Sequence, residues 1–348
     1  RGRNRKRDLR MTTMNIPAVT NCPGTLAPGY RTYSPRAAAR LFDGKRVSHM
    51  LDFAYDGDEA AALIAGNVGR ISLSGVQEKL SATLKDGKVI LTPSGEKGTY
   101  ILKPVPSNRS LRYRRFMPAN EHLTMQIARQ VYDIPTAENG MIFFADGEPA
   151  YITRRFDVGA DGSGIKQDDF ASLVGRTAEN AGGDFKYRGS YLDIATKIRE
   201  LLPAWQVEMA GFFRLVVFNY LFANGDAHLK NFSVQQTPDG DYRLAPAYDL
   251  LNSHLHVDDS DFALSEGLMP RPEWSDTYER TGHPCATDFR RFGLLAGLNE
   301  KQIDKAIMPF CLWQGEVAEL TARSFLDEKL KRMYMQSYHE RLSRFNRR

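Results

Sequence analysis

The chain has 348 residues, 42% hydrophobic and 26% charged, which is enough apolar material for a large core arranged in two or three compact units. No run approaches the roughly 18 uninterrupted apolar residues of a membrane span: even Phe212 to Phe222 is broken by Arg214 and Asn219, so no membrane partner is expected. The net charge of +5 does not describe the body of the protein, because six basic residues and one acidic residue fall in residues 1–10 and the rest holds 41 of each sign.

Residues 1–14 lack any apolar residue before Leu9 and read as a basic disordered tail or added sequence. Cys22, Cys285 and Cys311 are too widely spaced for a disulfide framework or a metal site. No apolar core follows the basic start to make a signal peptide, and a reducing cytoplasm is the expected location. An N-terminal lobe is expected over 15–160 and a helical C-terminal lobe over 161–348. Residues 15–69 suggest turns at Cys22-Pro-Gly and Ala27-Pro-Gly, a helix near 35–41, an extended piece at 47–53 and a helix near 58–65.

From Ile71 the pattern is of short strands: 71–74, 81–84, 89–91 and 99–102, with Asp86-Gly87 as a tight hairpin turn. This order sets a loop, Ser74-Gly75-Val76-Gln77-Glu78-Lys79, where it would cover phosphates, and delivers Lys103 as a phosphate contact. The loop has one glycine rather than a G-x-G-x-x-G run, so taken alone it reads better as a plain β-turn than as a phosphate cradle. Residues 108–117 form an Arg-rich loop, suited either to an acidic partner or to solvent. Asn120 is expected to cap a helix through Val131, and Glu121 in its first turn either pairs with Lys103 or answers the helix dipole. A hairpin over 141–144 and 150–154 then leads through Arg154 and Phe156 to a hinge between the lobes.

Beyond residue 165 the chain reads as helical, with 207–222 apolar enough to be a buried central helix. It runs into Asn224-Gly-Asp226-Ala-His228-Leu-Lys-Asn231. Asp226 and Asn231 have the five-residue interval that separates the base from the metal-binding Asn in a kinase catalytic loop. Two short runs joined by Thr-Pro-Asp-Gly then predict a hairpin that returns Asp249 beside Asn231. One carboxylate and one amide oxygen, with ATP phosphates, suffice for Mg²⁺. The spacing assigns Asp226 as catalytic base and Asn231 and Asp249 as metal ligands. His228 either steadies Asp226 or the loop backbone, or is an ordinary hydrogen-bonded histidine. His254 and His256 have no thiolate or third histidine nearby to make a zinc site.

The motifs Ser72-Leu-Ser-Gly-Val-Gln-Glu-Lys79, Ile101-Leu-Lys103-Pro, Asn224-Gly-Asp226-Ala-His228-Leu-Lys-Asn231-Phe and Ala245-Pro-Ala-Tyr248-Asp249 resemble, in order, those of the HipA family of bacterial toxin kinases, most closely its short HipT branch. The resemblance implies an α+β, two-lobed protein-kinase-like fold, with a small mixed β-sheet lobe before a mainly helical lobe. It implies an ATP- and Mg²⁺-dependent serine/threonine protein kinase acting on a cellular protein, with aminoacyl-tRNA synthetases as the typical target class. It marks Ser72 and Ser74 for autophosphorylation and extends the nucleotide-binding set over Ser74 to Lys79, Lys103, Glu121, Arg154, Phe156, His228, Tyr248 and Asp249. HipS-like and HipB-like antitoxin proteins are the implied partners, with DNA reached only through the antitoxin complex. The rival readings are an inactive kinase-fold binding module and a small-molecule phosphotransferase.

Overall fold

Asp86 and Gly87 both take positive φ, 50° and 74°, as the twist of a two-residue hairpin turn demands, and they fold β1 (Leu80–Lys85) onto β2 (Lys88–Leu91). The computed structural model describes residues 18–55, 78–93, 96–159 and 162–347; the helix expected over 58–65 and the strand expected over 71–74 lie outside them. With β3 (Tyr100–Pro104), β4 (Asn139–Phe143) and β5 (Pro149–Arg154) the first lobe forms a five-stranded sheet in the order β2-β1-β3-β5-β4. Its strands pair antiparallel throughout, and outside them one isolated parallel bridge joins Met50 to Phe143. The extended piece expected at 47–53 makes this bridge, with Leu51 N–H donating to the Phe143 carbonyl at 2.7 Å, and so covers the β4 edge.

α1 (Pro35–Phe42) begins where Ser34 Oγ accepts from Ala37 N–H, with a proline in the first turn. Leu41 and Phe42 at its end pack on Leu80, Tyr100, Leu102 and Ile152 in the small-lobe core. α2 (Met117–Gln130) starts three residues before the expected cap. Pro118 sits in its first turn, where a missing N–H costs nothing, and Asn120 is inside the helix, fully buried. Leu123 and Ile127 of α2 join the large core of the second lobe.

That lobe contains α3 (Phe170–Leu173), α4 (Ala178–Ala181), α5 (Tyr191–Leu201), α6 (Trp205–Leu221), α7 (Asp276–Thr281), α8 (Ala286–Leu295), α9 (Glu300–Cys311), α10 (Gly315–Arg323) and α11 (Glu328–Phe345). α6 is its axis: Phe212, Phe213, Val216, Val217, Phe218, Tyr220 and Leu221 are all buried, and α5, α9 and α11 pack around it. A second sheet, β6 (Gln167–Asp169), β7 (Ser233–Gln236) and β8 (Tyr242–Leu244), carries the predicted hairpin. Among the described residues no helix is long and apolar enough to cross a membrane.

Candidate active site

The site is built where α6 ends. Ala223 turns into the left-handed region, φ 52°, and Asn224 folds back on the helix, its N–H donating to the Asn219 carbonyl at 2.9 Å and its Nδ2 to Asn219 Oδ1 at 2.8 Å. Ser253 Oγ accepts from Gly225 N–H at 2.8 Å and donates to the Ala223 carbonyl at 3.2 Å. These bonds fix the backbone that carries Asp226. Its side chain opens on a cavity, and Oδ1 accepts from the Tyr187 hydroxyl at 2.9 Å. The surrounding protein desolvates the carboxyl and pushes its pKa up to about 6, against the opposing pull of Tyr187 and Lys186.

One turn on, Asn231 Oδ1 accepts from His228 N–H at 3.0 Å, which locks the amide in place. The β7–β8 hairpin returns the chain, and Asn231 Nδ2 donates to Asp249 Oδ2 at 3.3 Å. Asp249 has φ 56°, a conformation aspartate tolerates better than most residues. Ala247, two residues before it, is tied to the segment between α2 and β4: its N–H donates to the Pro135 carbonyl at 2.8 Å and its carbonyl accepts from Ala137 N–H at 2.9 Å.

The first lobe supplies the cations. Lys103 on β3 lies 2.6 Å from Glu121 Oε1 of α2 and also donates directly to Asp249 Oδ1. Lys103 and Glu121 are 5% and 3% exposed, so neither charge is balanced by water. Burial alone would lower the Lys103 pKa, but Asp249 and Glu121 override it and raise it. Burial would likewise raise Asp249, yet Lys103 and Lys79 hold its carboxyl well below the usual range. Glu121 is pushed up to about 7 by burial, with Lys103 opposing and Asp249 reinforcing. A cavity of about 450 Å³ opens between Lys79, Lys103, Tyr187, Asp226, Asn231 and Asp249. A recess of about 170 Å³ continues from it past Ile101, Thr153, Phe156 and Tyr248 at the hinge. Both include Lys79, Lys103, Glu121, Tyr248 and Asp249 in their walls, so they are two ends of one cleft.

The family model for the HipA-like C-terminal domain matches residues 71–311, a span that holds every element of this cleft. The chain belongs to the HipA-like C-terminal domain family. A protein of Haemophilus influenzae with a provisional kinase name is 29% identical over 328 residues, covering 90% of this chain and 92% of its own length. A similarly named protein of Sinorhizobium fredii, Y4mE, is 31% identical over 209 residues, 56% of this chain, and the match spans 46% of that relative. HipA of Shewanella oneidensis, solved with HipB and its operator DNA, superposes over 79% of this chain and 65% of its own with TM-score 0.59 at 20% identity. The α+β, two-lobed HipA-like fold is therefore shared with that toxin.

Within this HipA-like frame the structure brings Lys79, Lys103, Glu121, Asp226, Asn231 and Asp249 around one cleft. Ser72, Ser74, Gly75, Val76 and Gln77 lie outside the described residues. Glu78 is not in the cleft walls and accepts from the Tyr55 hydroxyl at 2.5 Å, while Lys79 Nζ stands 3.7 Å from Asp249 Oδ2. Arg154 lines the recess with its guanidinium committed to Asp43 and its N–H to the Glu138 carbonyl. Phe156 faces the ring of Tyr248 at 5.4 Å, and the Tyr248 hydroxyl donates to the Lys230 carbonyl at 2.8 Å. The His228 ring bonds Lys186 rather than the Asp226 carboxylate: its Nε2 accepts from Lys186 Nζ at 2.9 Å, while the His228 backbone N–H donates to the Asp226 carbonyl at 2.8 Å. Burial and Lys186 push its pKa down to about 3, so the ring is neutral. His256 is structural, with Nε2 on Asn120 and Nδ1 on the Arg112 carbonyl, and among the described residues no group of three His, Cys, Asp or Glu could hold a metal. The Arg-rich loop docks rather than floats, with Arg112 pairing with Asp258 and Arg115 with Glu148.

Sequence reading missed Lys186, Tyr187 and Ser253. Lys186-Tyr187 follows no motif and precedes Asp226 by about forty residues. Only the packing of that turn against His228 and Asp226 reveals it.

Proposed function

We propose that this HipA-like chain is an ATP- and Mg²⁺-dependent serine/threonine protein kinase of a bacterial toxin–antitoxin system. The observation that carries the reading is the convergence of Lys103, Glu121, Asp226, Asn231 and Asp249, from four separate segments, on one cleft. Lys103, held by Glu121, is the phosphate contact, and the recess at Phe156 and Tyr248 takes the adenine end. Asp226 orients the acceptor hydroxyl and takes its proton as the acceptor oxygen bonds to the terminal phosphorus and ADP leaves. Asn231 and Asp249 would hold the metal: the two side chains meet through Asn231 Nδ2 at 3.3 Å, the Asn231 oxygen taking the His228 N–H, and each would turn an oxygen to a hard ion that keeps its waters and binds phosphate oxygens. When bound, Mg²⁺ would neutralise charge developing on the phosphates.

In this reading Ser72 and Ser74 are the sites of self-phosphorylation, as in the HipT branch, and the external substrate is a cellular protein, with aminoacyl-tRNA synthetases as the class the resemblance points to. The Shewanella HipA assembly with HipB and operator DNA supports a HipB-like antitoxin partner here, with DNA reached through it, and the HipT likeness adds a HipS-like protein. Intact mass spectrometry before and after incubation with Mg·ATP tests the reading. One or two added phosphates mapping to Ser72 and Ser74, absent from Asp226→Ala, support it. A wild-type chain that transfers phosphate to no protein, itself included, defeats it.

A further inference from the structure

Lys186 is 5% exposed and lines the large cavity with Asp226, His228 and Asn231, yet its ammonium makes no ion pair with a carboxylate among the described residues. Its neighbours are His228 Nε2 at 2.9 Å and the face of the Tyr187 ring, 4.8 Å from Nζ. An ammonium can only donate, so the neutral imidazole contributes a lone pair and no charge. Burial accordingly holds Lys186 below the ordinary lysine range, with Asp226 opposing. A cation kept dry without a counter-charge is costly unless something anionic completes it. Lys103 differs in this respect: Glu121 and Asp249 already satisfy it.

The position of Lys186 identifies the missing anion. Lys103, Asn231 and Asp249 gather at one side of the cavity, whereas Lys186 reaches in from the turn whose next residue, Tyr187, bonds the base Asp226. The phosphoryl group in flight must pass between these two sides. We propose that Lys186 is a further catalytic residue, supplying the cation that holds the terminal phosphate of ATP and its transferred phosphoryl group, with His228 as the neutral rest that aims it. This rests on the kinase reading and deepens it. Lys186 would serve the γ-phosphate while Lys103 serves the inner phosphates.

The experiment compares binding of Mg·AMP-PNP and Mg·ADP by calorimetry in the full chain and in Lys186→Met and Lys186→Arg, with single-turnover self-phosphorylation from Mg·ATP read by intact mass. The expected result is at least a tenfold loss of AMP-PNP affinity in Lys186→Met with ADP affinity within twofold of wild type. Transfer should slow by about 10²-fold, the scale for removing one donor to developing charge, and Lys186→Arg should recover part of both. Thermal melting separates a folding defect, and Lys186→Arg decides the question if the Met variant does not fold. Equal weakening of ADP and AMP-PNP, or transfer at the wild-type rate in Lys186→Met, overturns the proposal. If wild type transfers nothing, the kinase reading fails, while the AMP-PNP to ADP comparison still reports whether Lys186 meets a third phosphate.

Discussion

The Tyr187 hydroxyl donates to Asp226 Oδ1 at 2.9 Å, so the carboxyl proposed as the base holds a hydroxyl before any acceptor arrives. The bond favours the ionised carboxylate while the protein around it favours the neutral form, and the balance lies near pH 6. A base acts when ionised, so the transfer rate should fall on the acid side of about pH 6, tenfold for each further unit. In Tyr187→Phe the lowering influence is gone, the Asp226 pKa rises, and the acid limb moves to higher pH. A hydrogen bond to a charged group is worth about 1.5–3 kcal/mol when buried; solvent access to Asp226 reduces this, so the expected displacement is at most about one pH unit. A pH–rate profile of each protein measures it, and an unmoved limb in Tyr187→Phe would remove Asp226 as the titrating base.

The buried pair of Lys103 and Glu121 predicts a pH-dependent stability loss. Lys103→Met removes the cation that opposes burial at Glu121, so the folded-state pKa of Glu121 rises beyond its present value of about 7. A carboxyl whose folded pKa lies above its unfolded value destabilises the fold increasingly as pH rises through that interval. Lys103 also holds the Asp249 carboxyl down, and that contribution is lost equally at pH 5 and pH 8; on top of it the Glu121 term should make the deficit of Lys103→Met larger at pH 8, by up to about 3–5 kcal/mol, the usual cost of leaving one member of a buried pair alone. Urea unfolding at both pH values checks this; a deficit larger at pH 5 than at pH 8 would contradict it. Adding Glu121→Gln should recover the part of the loss that grows between pH 5 and pH 8.

Local sequence makes part of this site legible and hides the rest. The β7–β8 hairpin could be read because Thr-Pro-Asp-Gly states its own turn, and the hairpin in turn dictated that Asp249 meet Asn231. For Glu121 the sequence left two readings open, a pair with Lys103 or an answer to the helix dipole, and the 2.6 Å contact decides for the pair. Asn120 is not the cap its sequence suggests: an Asn before an apolar stripe looks like an N-terminus, but Pro118 already sits in the first turn. Its partners, Asn252 and His256, are more than 130 residues away, and no periodicity encodes them. Lys186 and Tyr187 were hidden for the same reason, since a loop residue acquires chemistry only from what packs against it.

Asn120 itself yields a prediction. Its Nδ2 donates to the Asn252 carbonyl at 2.8 Å and its Oδ1 accepts from Asn252 N–H at 3.1 Å, tying α2 to the segment just past Asp249. Asn120→Ala leaves a buried backbone donor and acceptor without their partner, at a cost of about 1–3 kcal/mol. Asn120→Asp keeps the acceptor for Asn252 N–H but loses the donor, and should also be destabilised. Chemical denaturation measures both; wild-type stability in Asn120→Ala would show that solvent replaces these bonds freely.

Gly225 and Gly211 should respond in opposite ways to the same added methyl. A Cβ on Gly225 would lie 2.5 Å from Asp259 Cβ and 2.7 Å from the Ser260 carbonyl oxygen, and the backbone atom cannot swing aside as a flexible side chain would. The loop must shift instead, stretching the 2.8 Å bond from Gly225 N–H to Ser253 Oγ and moving Asp226, the next residue. Overpacking of this kind costs about 1–3 kcal/mol, and displacing a reacting group by about 1 Å costs about 10²-fold in rate. Gly225→Ala is therefore expected to fold with reduced stability and to lose far more activity than stability. Gly211, in α6, has open space around a built Cβ, so Gly211→Ala should gain about 0.5–1 kcal/mol from helix propensity with transfer unchanged. Thermal melts paired with single-turnover rates separate the two effects; Gly225→Ala turning over at the wild-type rate would mean that the Ser253 clasp does not set the position of Asp226.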